Sequence, residues 1–445
     1  MQKLFDRRLL PQIFYIGLPV VVAVTSVSIM NIVDLKMVGY FGSEAIVAVG
    51  LGGWVYLILV MSFQFLEIGA QVIVARRYGE GKLAECGVVI NNTLIVAAVT
   101  GLLFTLFFFS CADLFLHPRD LVVRDLAVEY LRWRVLGIAL QLINFALKGF
   151  FYGIGKPHPS LYAELLQNGA NVFLNWVFIF GHLGAPGMGP PGAGLASALS
   201  AAVGCLFLVL FTWLRGYGAT FHLAQAGRFN LQTIRLLLKV GGPASVHNFL
   251  CITAWAIFMH FNERISVTAA SATQIVLTLL MFGFLPALGF GTAAATLVGQ
   301  NLGAGRPDVA ERVGWTTWIL GESYILIWGI FIILFRKPLV GFFVQDPGVI
   351  ALGAQLLILI AIVETLDSTG IIFSKALQGA GRTTFVMLTE VFFAWVIFLP
   401  AAYYIGLRYE KGVWGTWGAE ATYVCLWGLT LLISFKRGKW KTIKV

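Results

Sequence analysis

The sequence predicts an all-α polytopic membrane protein, with about twelve transmembrane helices in two six-helix lobes related by a parallel internal repeat. Composition is the first reason. Of 445 residues, 59% are hydrophobic and 12% are charged, about half the charged fraction of a soluble domain, and the mean hydropathy is +0.85. The second reason is a series of apolar runs of about 20 residues or more, each long enough as a helix to cross the hydrocarbon layer. The third is that four motifs of the first half return, in the same order, in the second.

The chain opens with the charged stretch MQKLFDRRLLPQ. The apolar run behind it is too long for a secretory signal and no A-x-A site follows, so it reads as an uncleaved first span over 12–38. Further spans are expected near 45–75, 87–113, 123–150, 159–181 and 192–214. Residues 215–234, with Gly216, Gly218, Gly227 and several basic residues, read as a cytoplasmic linker. The second set lies near 235–261, 267–298, 313–335, 349–376, 384–407 and 415–435. The expected organisation is therefore an N-lobe over 1–214 and a C-lobe over 235–445 with a basic tail. Continuous helix is the form these spans must take, because lipid offers no partner to backbone N–H and C=O groups.

Lys and Arg set the orientation. They crowd the ends that share the N-terminal side, including Lys3, Arg76, Arg77, Lys82, Arg228, Arg306 and the tail from Lys436 to Lys444. This bias predicts a cytoplasmic (inner) membrane protein with both termini in the cytoplasm. Arg119, Arg124, Arg132 and Arg134 run against it.

The repeat is collinear. Gly17–Pro19 (GLP) is echoed at Gly241–Pro243 (GGP), ARRYGEGK at Ala75–Lys82 by GQNLGAGR at Gly299–Arg306, FYGIGK at Phe151–Lys156 by LQGAGR at Leu377–Arg382, and GPPGAG at Gly189–Gly194 by GVWGTW at Gly412–Trp417. All four offsets lie near 224 residues. An even number of spans per half makes the repeat parallel.

Within this apolar background a few polar residues stand out. Asp34 lies in the first span, where a carboxylate is costly without a partner, a cation or water. Glu164, Asn168, Asn171 and Asn175 fall at i, i+4, i+7 and i+11 and share one face of the fifth span. Carboxamide oxygens can hold a cation beside a carboxylate, and carboxamides can equally tie helices together. Glu164 and Asn168 read as the lining of a wet cavity. In the tenth span Glu364 and Asp367 share a face at i, i+3, and two close carboxylates raise the proton affinity of one of them, which would suit proton exchange. Glu67 and Glu390 are further intramembrane acids without an evident partner. The net charge of +10 does not imply nucleic acid, since no soluble basic domain exists to bind it. The five cysteines are scattered, and the six histidines form no HxxxH or HxH pattern, so no cofactor and no histidine-based metal cluster are expected.

Several stretches resemble the multidrug and toxic compound extrusion (MATE) family. IVDLKMVGYFG at Ile32–Gly42 is similar to its first-helix pattern VDxxMVGxxG, and ARRYGEGK and GQNLGAGR resemble its paired loops after helices two and eight. Asn171–Ser197 resembles its fifth and sixth helices, and Leu366–Thr383 its tenth helix and the following loop. The resemblance implies twelve helices in two lobes around a central cleft, and export driven by inward flow of protons or sodium ions. It implies an ion-coupling set of Asp34, Asn171, Asn175 and Ser197, with Na⁺ possible at Asp34, Asn171 and Asn175. A tenth-helix Asp of some members matches Asp367. Those members also carry a seventh-helix Glu, where this chain has His247, Asn248 and Cys251, so the second cation site is not matched in full. Glu164, Asn168, Glu364, Asp367, His247 and Cys251 are thus expected at the substrate cavity or a secondary site.

The function expected is secondary active efflux of small cationic or amphipathic compounds by a monomer in the lipid bilayer, with H⁺ slightly preferred over Na⁺. A lipid-linked oligosaccharide or lipid flippase is the neighbouring alternative. An integral membrane enzyme acting on lipid would need paired His or Asp/Glu motifs in cytosolic loops, and the sequence has none.

Overall fold

A computed structural model of the chain describes residues 5–116, 120–223 and 229–443. Lys3, Arg119, Arg228 and Lys444 of the charge pattern, and Gly227 of the expected linker, lie outside the described residues. All regular elements among the described residues are helical.

The first half comprises α1 (Leu10–Val38), α2 (Ser43–Met61), α3 (Phe65–Gly79), α4 (Leu83–Cys111), α5 (Leu121–Val135), α6 (Ile138–Gly153), α7 (His158–Phe180) and α8 (Pro190–Leu214). A single turn, α9 (Tyr217–Thr220), leads to the second half. There the helices are α10 (Leu231–Ile265), α11 (Val267–Gly303), α12 (Pro307–Gly341), α13 (Pro347–Gly379), α14 (Thr383–Phe392), the short α15 (Leu399–Ala401) and α16 (Gly412–Lys436). Around α15, which contains Pro400, residues 393–398 and 402–408 wind as π-helix. Proline removes an N–H from the ladder, and the wider winding is one way to accommodate it.

Ten helical stretches among the described residues are long and apolar enough to cross a membrane, with α2 and α3 forming one of them. The pair α5 and α6, bent by 49° at Leu136–Gly137, makes an eleventh. The twelfth expected span is α7. It has the length, at 23 residues, but the carboxamides on its inner face dilute its apolar content.

The repeat is visible in the backbone. Gly81 and Gly305, Gly155 and Gly381, and Gly189 and Gly412 all adopt left-handed φ, from +58° to +89°. At the first two pairs the residue after the glycine closes the same cap, with the N–H of Lys82, Arg306, Lys156 and Arg382 donating to the carbonyl five residues back, at 2.8–2.9 Å. A residue with a Cβ is strained there, which is why glycine recurs at these points.

The residues form two compact units, Val22–Ser245 and Met1–Val21 with Val246–Val445. This division differs from the expected lobes 1–214 and 235–445. The start of α1 packs with the second-half helices, where Phe14 meets Phe290 edge-on at 5.7 Å. The start of α10 packs with the first-half helices, where Ser245 Oγ accepts from the Phe65 N–H at 3.0 Å. Both crossovers fall within three residues of the repeat-related Pro19 and Pro243.

Candidate functional site

In the unit Val22–Ser245, α7 runs along α8, and α8 also packs on α5. Helix α7 is stopped at Gly181, whose φ of +78° gives the left-handed cap. Its side chains are sorted in the sense opposite to a soluble helix. Tyr162, Leu166, Phe173 and Trp176 are exposed, while Glu164, Asn168, Asn171 and Asn175 are buried. The surface must be apolar in lipid, so the polar face turns inward.

That inward face meets α1. Asn175 Nδ2 donates to Asp34 Oδ1 at 2.5 Å and to Asn171 Oδ1 at 2.9 Å. Asn171 Nδ2 in turn donates to Ser197 Oγ at 3.0 Å, on α8. The four expected coupling residues therefore form one hydrogen-bonded chain across α1, α7 and α8. Asn175 Oδ1 is buried and accepts no hydrogen bond among the described residues, which leaves one acceptor beside the carboxylate. The Arg134 guanidinium on α5 is near enough for its charge to act on Asp34, and it lies over the Tyr56 ring at 4.5 Å. Lys36, two residues from Asp34, plays no part in this set of contacts.

Glu164 and Asn168 do not join the chain. Asn168 Nδ2 donates to Ser26 Oγ at 2.9 Å, one level further along α1. Glu164 Oε1 accepts from Lys148 Nζ on α6, and both side chains are buried. The lining of a wet cavity was expected at Glu164; what is found is a buried ion pair, because α6 presents a lysine at the depth where α7 presents the acid. The charge of Glu67 also acts on Lys148.

The other unit holds a cluster of carboxyl groups. Glu364 and Asp367 on α13 act on one another, and the charges of Glu322 (α12), Glu390 (α14) and Glu420 (α16) reach them. Both Glu364 oxygens are buried without a hydrogen bond among the described residues. They press on α11 where a Cβ at Gly283 would lie 2.7 Å from Oε1. Glu322 Oε1 accepts from Thr369 Oγ1 at 2.8 Å. Glu390 has the partners the sequence did not disclose: His247 Nε2 lies 2.6 Å from its Oε2, at ion-pair distance without hydrogen-bond alignment, and Cys251 Sγ is 3.4 Å from its Oε1. The expected pair of Glu364 and Asp367 is thus joined by Glu322, Glu390 and Glu420.

A family model described as MatE matches residues 19–177 and 243–404, most of the chain and both halves of its repeat. The chain belongs to the MatE family. Curated MatE relatives align over nearly its full length. The probable multidrug resistance protein NorM of Thermotoga maritima is 26% identical over 421 residues, covering 93% of this chain and 89% of the relative. The multidrug resistance protein PmpM of Pseudomonas aeruginosa is 25% identical over 438 residues, covering 96% and 91%. Among solved structures, a MATE protein in complex with MaL6 superposes with a TM-score of 0.89 at 20% identity, covering 96% of this chain and 95% of that one. A MOP superfamily transporter from Pyrococcus furiosus gives 0.89 at 21% identity, covering 97% and 96%. The MatE family is one of transporters and not of enzymes, and the membrane-enzyme reading falls with that. Lys148, Glu322 and Glu420 are charged residues of these clusters that pattern reading passes over, while Glu390 is noted without its partners and Arg134 only as an exception to the charge bias. Lys148, Glu322 and Glu420 are isolated charges in otherwise apolar stretches of helix, and that was the available signal.

Proposed function

We propose that the protein is a secondary active exporter of cationic or amphipathic small molecules, driven by inward ion flow, with Asp34 as its coupling group. The observation that carries this is the hydrogen-bonded chain Asp34–Asn175–Asn171–Ser197 within one unit. Inward of the lipid surface, a carboxyl group with one carboxamide donor and an open carboxamide oxygen beside it is placed to take up a cation. The names of the relatives, all multidrug resistance proteins, support the substrate class.

A proton fits this site better than Na⁺. A hard cation would find Asp34, Asn175 Oδ1 and Asn171 Oδ1, the last already accepting one hydrogen bond from Asn175, where hard metal ions favour more oxygen ligands. Neutralising Asp34 removes the acceptor charge that holds the Asn175 amide. The set Asp34, Asn175, Asn171 and Ser197 then relaxes across α1, α7 and α8, which lowers affinity for a cationic substrate and favours its release. Both termini are assigned to the cytoplasmic side of the inner membrane, and the chain is assigned to work as a monomer.

The test is ion-jump transport in vesicles. A pH gradient imposed across proteoliposomes should drive uptake of a cationic dye, and a protonophore should abolish it. Dye movement that follows a Na⁺ gradient and ignores the protonophore would reverse the ion assignment. Dye movement indifferent to both gradients would exclude antiport.

A further inference from the structure

In the unit containing Val246–Val445, three side chains with metal-binding chemistry converge. His247 and Cys251 are one turn apart on α10, and Glu390 projects from α14. One ligand atom from each, an imidazole nitrogen, the thiol sulfur and a carboxylate oxygen, lies within 4.8 Å of the others. All three are partly buried.

We propose that His247, Cys251 and Glu390 form a binding site for a borderline-soft divalent cation of the Zn²⁺ type. The donor set argues for this ion class. Nitrogen, thiolate sulfur and carboxylate oxygen together are ligands of Zn²⁺, whereas Na⁺, Mg²⁺ and Ca²⁺ take oxygen alone. The spacing argues for it too. Ligand lengths of about 2.0–2.3 Å in a tetrahedron put donor atoms about 3.4 Å apart; donors within 4.8 Å of one another reach that spacing by small side-chain shifts, with the His247–Glu390 contact of 2.6 Å opening. Three protein ligands leave one position open, as in zinc sites that also take water or a small ligand.

Charge permits it. Binding displaces the Cys251 thiol proton, and the extra proton of His247 where the imidazole is protonated, to water, and the site then carries the thiolate, the neutral imidazole and the Glu390 carboxylate against the dication. Lys375 on α13 and the Asn248 amide also face His247, and the charge of Glu390 acts on Asp367 as well. A bound ion would fasten α10 to α14 at the level where α14 gives way to the π-helical stretch.

The experiment uses the full-length protein, purified in detergent and titrated with Co²⁺ and then Zn²⁺. The expected result is a single Co²⁺ per chain with a thiolate-to-cobalt charge-transfer band, bleached by Zn²⁺. The band should vanish in Cys251→Ser and persist in Cys425→Ser, and the Kd for Zn²⁺ should rise about tenfold or more in His247→Gln and Glu390→Gln. Absence of the band, or a band that survives Cys251→Ser, overturns the proposal. If Cys251→Ser does not fold, alkylation of the wild-type protein decides. Zn²⁺ should slow labelling of Cys251, located by peptide mass, more than that of Cys425, and equal slowing overturns the site.

Discussion

Asp34 is the residue on which transport should turn. Replacing it by Asn keeps the shape and removes the charge, so Asp34→Asn should express and fold normally while ion-driven dye efflux falls to the level of empty vesicles. Near-wild-type efflux from that variant would end the coupling role. Asn175 and Asn168 separate the same question along α7. Asn175 donates to the carboxylate and Asn168 only to a serine hydroxyl. A hydrogen bond to a charged group contributes about 1.5–3 kcal/mol and one between neutral groups about 1. Asn175→Ala should therefore weaken coupled efflux about tenfold more than Asn168→Ala, measured as initial rates at matched expression. Equal losses would mean that the stripe only ties helices together. The buried Lys148–Glu164 pair is expected to bear on stability. Removing one partner of a buried pair costs about 3–5 kcal/mol, whereas replacing both by apolar residues can be near neutral. Lys148→Met should lower the thermal midpoint in detergent sharply, and the double variant Lys148→Met/Glu164→Leu should recover most of the loss.

At the scale of elements, the repeat-related loops are held by glycine geometry. Gly81 and Gly305 are left-handed with nothing within 4 Å of a built Cβ, so Ala at either position meets backbone strain alone, about 1 kcal/mol. Gly218 sits in the α9 turn with the same open space and no left-handed φ. Gly81→Ala and Gly305→Ala should each lower the thermal midpoint by a similar small amount, and Gly218→Ala should leave it unchanged or raise it. Unequal effects at Gly81 and Gly305 would show that the two loops are not equivalent in energy despite their shared backbone. The motif strings were legible because such a turn accepts few residue types. The bend between α5 and α6 was not, since no proline marks it. Close packing does: a Cβ at Gly137 would lie 2.8 Å from Ala198 Cα.

For the whole molecule the question is which unit couples. Asp367→Asn should change drug affinity and leave coupling largely intact, because Glu322, Glu364, Glu390 and Glu420 remain to hold positive charge in that unit. Binding and ion-driven transport measured separately in Asp367→Asn and Asp34→Asn decide this. Normal drug binding with lost coupling in Asp367→Asn would move the coupling group to the other unit. The chain alone determined that the protein is helical, crosses a membrane many times and repeats itself, since these follow from composition, run length and the few residues that tight turns accept. It also singled out Asp34, Asn171 and Asn175 as candidates, because a carboxylate and a helical stripe of carboxamides are conspicuous where lipid penalises them. Tertiary structure alone decided the partners. Glu164 is held by Lys148, Glu390 by His247 and Cys251, and Asp34 is overseen by Arg134, pairs separated by 16 to 143 residues in the chain. The ends of α1 and α10 were likewise assigned by packing, across the expected lobe boundary. Periodicity reports which face of a helix is polar, but which neighbour that face meets depends on how the helices pack, and that is set by surfaces far apart in sequence.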